Sequence, residues 1–358
     1  MMEEIEKIIL ADPGTFFPRR EAPRRLGTLL VKGSLGANAG RVTFLVFRDE
    51  ETAPSLAVKI ARAPAGESLL AAEASGLRFL AEKLSAGVNS AAPKLLHEGN
   101  CLGAAFIAEE AVGGIPLGAE MAQCLFSREK KASALLLEAS SWLGRLARES
   151  GRPADGEKKA VPAAEKFRTR YPLSAGAARF LDGLKADLEC LDRECRRVFV
   201  HGDFSPMNIY FGEGGLRVID WAESFHGGMP LHDLFFLLTC SVAGAGPAEE
   251  EGTRRLDNFS SLFLREGARS ELARAALKRV SNGLDLREGM LRPLLALFLM
   301  ERANLEYDVL ERQGQSGYML PLRPFGENAN WSDGSLLRCG LYGRLFERIA
   351  ANSDRLIF

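Results

Sequence analysis

Cysteine and histidine are scarce and scattered, six of one and four of the other in 358 residues, with no CxxC pair and no Cys/His cluster. A zinc site or a disulfide framework is therefore not expected, and the chain suits a reducing compartment. Long hydrophobic runs are also missing. The most apolar windows, LFFLLTCSVAGA and LLALFLM, fall short of the roughly 20 residues that a membrane-spanning helix needs. The N-terminus MMEEIEKIIL is acidic, with no cationic stretch ahead of a signal-length apolar run. A net charge of −1 leaves no basic field for nucleic acid or an anionic membrane surface. No internal repeat is evident. These absences predict a cytoplasmic protein with no membrane span and no nucleic-acid partner. With 46% hydrophobic and 26% charged residues, the chain can bury a substantial core in two lobes.

The most informative stretch runs from His201 to Asp220, HGDFSPMNIYFGEGGLRVID. Val198-Phe199-Val200 reads as a short strand that ends on His201-Gly202-Asp203. Ile209 to Phe211 and Leu216 to Ile219 read as a hairpin around Gly212, Gly214 and Gly215. That hairpin returns Asp220 beside Asn208, five residues after Asp203. Three oxygen-bearing side chains on neighbouring segments suit a hard divalent cation held against a phosphate. Taken singly, the two aspartates also suit turn caps and Asn208 an Asx turn.

Upstream, LGTLLVK, RVTFLVF and SLAVKIA predict three strands in an antiparallel meander. The first connection carries Gly33, Ser34, Gly36, Asn38 and Gly40. Such a loop either presents backbone N–H groups to phosphates or simply turns the chain. Glu67 to Leu84 has helical periodicity, and Glu73 lies within its Leu70/Leu77/Leu80 stripe. A carboxylate buried there needs a cation, and Lys59, on the strand leading into the helix, is the nearest candidate. The alternative is a Glu73 at the helix margin, reaching solvent. On the first reading, Glu73→Gln is expected to weaken nucleotide use with little loss of fold. Two further strands follow, and Gly113-Gly114 and Pro116 break the second. The backbone carbonyl of Glu110 and the N–H of Val112 are placed to meet an adenine edge. Helices are expected over 129–149 and 177–196, and across Phe298 to Arg312.

HGDFSPMN followed by VIDWA resembles the catalytic and metal-binding loops of the aminoglycoside phosphotransferase/choline kinase-like family. EEAVGGIPL is similar to the family's interlobe connection, and PLHDLFFLL to the segment after its metal loop. The resemblance spans roughly Leu26 to Asp233. It implies an α+β, bilobal, protein-kinase-like fold, with a small antiparallel β-sheet lobe bearing one helix and a larger, mainly helical lobe. Residues 1–112 would be the nucleotide-binding lobe, with a leader to about residue 24, and 113–358 the catalytic and substrate-binding lobe. The implied activity is transfer of the γ-phosphoryl group of ATP, or of GTP, with Mg2+, to a hydroxyl of a small molecule.

In that scheme Asp203 is the catalytic aspartate and Asn208 and Asp220 hold the metal. Lys59, oriented by Glu73, contacts phosphates, with Gly33, Ser34 and Gly36 over them, and Glu110 and Val112 bind the base. His201 braces the loop and Asp233 supports it. Gly202 stands where protein kinases carry arginine, and Trp221-Ala222 replaces Phe-Gly. Only twelve residues separate Asp220 from Asp233. All three departures favour a small-molecule acceptor over a protein. Glu223 and Glu301 are candidate acceptor contacts suited to an amine or amino sugar. The competing class is a catalytically inactive kinase-fold protein that binds nucleotide or acts as a scaffold.

Overall fold

Residues 1–18, 20–31, 40–123, 129–154, 156–240, 248–284, 286–316 and 340–357 are described by a computed structural model. Gly33, Ser34 and Gly36 lie outside these described residues. The chain forms two compact units. The first comprises Met1–Ala119, His201–Asp203 and Met207–Phe225, and the second Glu120–Val200, Phe204–Pro206 and His226–Phe358.

The first unit is built on a five-stranded antiparallel sheet. Its strands are β1 (Leu26–Val31), β2 (Arg41–Arg48), β3 (Leu56–Ala61), β4 (Leu95–Cys101) and β5 (Ala104–Glu110), in the order β1-β2-β3-β5-β4. Side chains alternate between faces along a strand, and the middle of this sheet is covered on both faces while the edge strand β1 is largely exposed. Val46, Val58, Ile60, Phe106 and Ala108 share a core with Ile5, Ile9, Phe16 and Phe17. Ile5 and Ile9 come from helix α1 (Met2–Ala11) and Phe16 from α2 (Pro13–Phe16), which Phe17 directly follows. The segment read as a polar leader is thus helical and packs on the sheet. Its signal was three isoleucines, Ile5, Ile8 and Ile9, at helical spacing in a ten-residue segment.

Ala61 and Ile107 face the other way and pack against Leu70 and Ala74 of helix α3 (Pro64–Lys83). Burial on both faces explains why all six residues of β3 are buried, Lys59 included. Strand β5 stops at Glu110, so Val112 lies beyond it rather than within a strand. Three short strands complete this unit: β6 (Ile115–Pro116), β7 (Ile209–Gly212) and β8 (Gly215–Val218). The predicted hairpin is the pair β7–β8, with Ile209 opposite Val218.

The second unit is mainly helical. Its largest helices are Glu129–Ser150, Ala248–Phe263 and Leu291–Ser316. Trp142, Phe167, Phe235, Phe298 and Phe346 are buried to within 2% exposure and form its aromatic core. The predicted helix over 177–196 is two helices, Ala175–Gly183 and Lys185–Glu194, joined at Leu184. Ser174 caps the first through a bond from the Ala177 N–H, which moves its start upstream. Ala160–Arg170 is a further helix. It is anchored by Asp192, whose carboxylate accepts from the N–H groups of Lys159, Ala160 and Val161. Cys101, Cys190, Cys195 and Cys240 are not joined in disulfides. Among the described residues no helix is long and apolar enough to cross a membrane.

Candidate active site

The first unit gathers the polar residues that sequence reading singled out in two segments far apart in the chain. Lys59 projects from β3 onto the α3 side of the sheet, and its Nζ lies 2.5 Å from Glu73 Oε1. Glu73 is fully buried and does not reach solvent at the helix margin. Its carboxylate has two further partners. The Trp221 N–H donates to Oε1 at 3.1 Å, and Arg41 Nη1 lies 3.0 Å from Oε2. Lys59 has a second partner as well, Glu109 Oε1 at 2.7 Å.

Strand register explains this company. Lys59 pairs with Thr43 on one side and Ile107 on the other, while Arg41 and Glu109 sit two residues along from those partners. Period-two alternation therefore puts Arg41, Lys59 and Glu109 on one face. Burial pulls the Lys59 ammonium down, but the carboxylates of Glu109 and Glu73 push it up by more, so it remains charged. Burial pushes Glu109 up to about 7, against the pull of Lys59. Glu109 Oε2 is buried and has no hydrogen-bond partner in the structure.

The His201–Asp220 stretch is stitched together locally. The Asp203 N–H donates to His201 Nδ1 at 3.2 Å, and His201 Nε2 lies 3.0 Å from the Ile219 carbonyl. An Nδ1 that accepts and an Nε2 that donates define a neutral imidazole carrying its hydrogen on Nε2. That ring is fully buried against Trp221, with centroids 4.5 Å apart, and bridges the two loops. Asn208 Nδ2 donates to the Asp203 carbonyl and to Asp203 Oδ2, both at 2.9 Å. With its amide hydrogens turned toward Asp203, Asn208 keeps its oxygen as an acceptor. Asp220 adopts φ 65°, a left-handed conformation uncommon outside glycine. Strained backbone of this kind concentrates at functional positions. Burial raises the Asp220 carboxyl, but Lys59 and Arg41 outweigh it and hold the group below the usual carboxylate range. Arg41 Nη2 sits 2.5 Å from Asp220 Oδ1.

Asn208 and Asp220 fit a magnesium ion by donor chemistry. One carboxylate and one amide oxygen are the kind of sparse, hard set that magnesium accepts, with phosphate and water completing its shell. Among the described residues no group of three or more His, Cys, Asp or Glu could hold a metal, so an all-protein cage is not what this site offers.

Gly202 is required by the turn. It has φ 84°, and a Cβ there would run into the Glu223 carbonyl, with the carbonyl carbon at 2.9 Å. Gly202→Ala is expected to cost about 1–3 kcal/mol of stability from strain and to displace Asp203. Urea denaturation checks the first effect. An unchanged midpoint would show that the turn yields without strain.

Elsewhere the predicted residues stand apart. The Glu110 carboxylate is 3.4 Å from Arg217 Nη2 and 3.6 Å from Lys94 Nζ. The neighbouring Ala111 N–H donates to the Ser55 carbonyl. Glu223 lies against Gly202 through its backbone. In the second unit, Asp233 is buried in the first turn of the helix His232–Cys240. Glu301 Oε2 is 3.2 Å from His232 Nδ1. Sequence reading missed Arg41, Glu109 and the Trp221 N–H. The available signal was parity: with Lys59 facing α3, strand pairing puts residue 41 and residue 109 on that face too.

A search of curated proteins finds no match. Among solved structures, a choline/ethanolamine kinase family protein from Mesorhizobium loti superposes with a TM-score of 0.53 at 13% identity, covering 98% of this chain and 99% of its own. That likeness establishes the kinase-like phosphotransferase fold. An aminoglycoside phosphotransferase from Streptomyces rimosus, solved in complex with ADP and streptomycin, matches at TM-score 0.45 and 16% identity, over 84% of this chain and 99% of its own. An aminoglycoside phosphotransferase from Alicyclobacillus acidocaldarius matches at TM-score 0.43 and 10% identity, over 94% of this chain and 97% of its own. The family profile described as phosphotransferase enzyme family (APH) matches residues 35–269, about two thirds of the chain, and the chain belongs to that family.

Proposed function

We propose that the protein transfers the γ-phosphoryl group of ATP, in the presence of Mg2+, to a hydroxyl group of a small molecule. The observation that carries this reading is the meeting of Lys59, Glu73 and Asp220 in one cluster, with Arg41 between the two carboxylates. It brings a phosphate-binding cation and a metal-binding carboxylate together, although they come from segments more than 140 residues apart.

In this reading Asp203 orients the acceptor hydroxyl and takes its proton as the new P–O bond forms. Asn208 holds the Asp203 carboxylate in position and offers its own oxygen, with Asp220, to the metal. Bound there, Mg2+ would offset negative charge on the phosphates during transfer. Lys59 stays charged at neutral pH and directs its ammonium to the phosphates, while Glu73 fixes its orientation. Gly33, Ser34 and Gly36 are proposed to contribute backbone N–H groups to the phosphates, and Glu110 and Val112 to bind the base. Asp233 is proposed to support the loop. GTP is the alternative donor.

Residues 1–112 serve as the nucleotide-binding lobe in this proposal and 113–358 as the catalytic and acceptor lobe, in a cytoplasmic protein. The small-molecule acceptor follows from the twelve-residue span between Asp220 and Asp233, too short for a long substrate-reading segment. Glu223, beside Gly202, is the first candidate acceptor contact, with Glu301 as a separate one. The test is ADP release by the wild-type protein against a panel of sugars, amino sugars, amino alcohols and nucleosides, in Mg2+ and in EDTA. Turnover of one acceptor class only in Mg2+ is the expected result. Tight ATP binding with no turnover across the panel would replace this reading with that of an inactive nucleotide-binding protein.

A further inference from the structure

Arg41 has no part in the chemistry proposed above, yet it joins two of the residues that do. Its guanidinium reaches Glu73 Oε2 at 3.0 Å through Nη1 and Asp220 Oδ1 at 2.5 Å through Nη2. The two carboxylates belong to segments 32 and 179 residues away in sequence. The planar guanidinium meets the two carboxylates through separate nitrogens held in a fixed fork, whereas a lysine has a single compact head. Arg41 is 8% exposed, whereas the Asp220 side chain is 30% exposed. One face of that carboxylate is therefore held from within and the other is open.

The charges explain what Arg41 does there. Glu73 and Asp220 meet on Arg41, Glu73 and Glu109 meet on Lys59, and among the described residues these two cations are the ones paired with the three carboxyl groups. Without Arg41, the excess of carboxylates would repel the phosphates of a nucleotide. The same excess would draw a divalent cation to Asp220 more strongly. With Arg41 in place, Asp220 already has a positive neighbour, and a divalent cation must share Oδ1 with it.

Resting on the phosphotransfer reading, we propose that Arg41 is a resident positive charge at Asp220 that lets the site hold nucleotide phosphates with less dependence on a divalent cation. Arg41 is thus a positioning residue that acts through Asp220 and Glu73. A purely structural pillar would make a different prediction, because its loss would weaken nucleotide binding equally with and without metal.

The experiment is calorimetric titration of a non-hydrolysable ATP analogue into the full chain, in EDTA and in excess Mg2+. The quantity read is the ratio of the two dissociation constants, which reports the coupling between metal and nucleotide. Arg41→Gln is expected to raise that ratio by about tenfold or more, within the usual range of coupling between two ligands. The rise should come mainly from weaker binding in EDTA. Arg41→Lys keeps the charge but has one nitrogen where arginine uses two, so a smaller rise, of about threefold, is expected. It decides the matter alone if circular dichroism shows the glutamine variant to be unfolded. A ratio unchanged from wild type overturns the assignment of Arg41 and leaves the phosphotransfer reading standing. Failure of the wild-type protein to bind the analogue in either buffer overturns both.

Discussion

Replacing Asp203 by asparagine is expected to lower kcat by about 10²- to 10⁴-fold, the usual contribution of a positioned general base. Nucleotide affinity and melting temperature should stay close to wild type. The substitution is nearly isosteric, and the local bonds favour its retention. Asn208 Nδ2 donates to Asp203 Oδ2 at 2.9 Å and to the Asp203 carbonyl at the same distance. An asparagine that turns its oxygen toward Asn208 keeps both bonds. The Asp203 N–H continues to donate to His201 Nδ1 whatever the side chain. What is lost is the carboxylate that receives the acceptor's proton. A fall in kcat with little change in KM for nucleotide is the signature of an interaction made in the transition state. Steady-state kinetics with the acceptor found in the panel assay, alongside a thermal melt, separates the two effects. If Asp203→Asn retains more than about a tenth of wild-type kcat, Asp203 is not the base.

The local arrangement of the proposed catalytic stretch was legible in sequence because its parts are close in the chain. Asp203, Asn208 and Asp220 lie on one strand end and one hairpin, and short-range turn chemistry decides how they meet. The Lys59–Glu73 contact was legible for another reason. A carboxylate inside an apolar helical stripe demands a cation, and a lysine inside an apolar strand demands an anion. Arg41 and Glu109 were not legible in that way. Both sit at strand ends, Arg41 opening β2 and Glu109 beside Glu110 at the close of β5, where charge is ordinary, and their significance appears only once register places them beside Lys59. The Asp220–Arg41 contact, across 179 residues, depends on tertiary structure alone. The short N-terminal helices escaped notice because ten residues carry little periodic signal and Pro13 and Gly14 suggested a loop.

Register also changes what is expected of Glu73. Read as half of a simple pair, Glu73→Gln should weaken nucleotide use and spare the fold. The structure gives Glu73 three partners at zero exposure: Lys59, Arg41 and the Trp221 N–H. A glutamine has one oxygen for them, and its NH2 group must face one of the two cations. Breaking a buried ion pair costs about 3–5 kcal/mol, because the surviving charge is left without full compensation. Glu109 and Asp220 still face Lys59 and Arg41 and temper that loss without removing it. Glu73→Gln is therefore expected to lower the melting temperature by roughly 10 °C, as well as weakening nucleotide binding.

Glu109→Gln is the internal control, since its carboxyl touches the same lysine but is pushed up to about 7 by burial, from an ordinary value of 4.5. Between those two values the folded protein holds a proton that the unfolded chain has released. Through Glu109, stability accordingly falls as pH rises across that window. Removing the carboxyl should flatten this part of the pH dependence, with a smaller thermal penalty than Glu73→Gln. Thermal melts of wild type and both variants at several pH values between 4.5 and 7.5 test the contrast. Equal penalties at every pH would mean that the two carboxylates are equivalent partners of Lys59. Glu73 would then lose its distinction as the residue that ties the lysine to the backbone beyond Asp220.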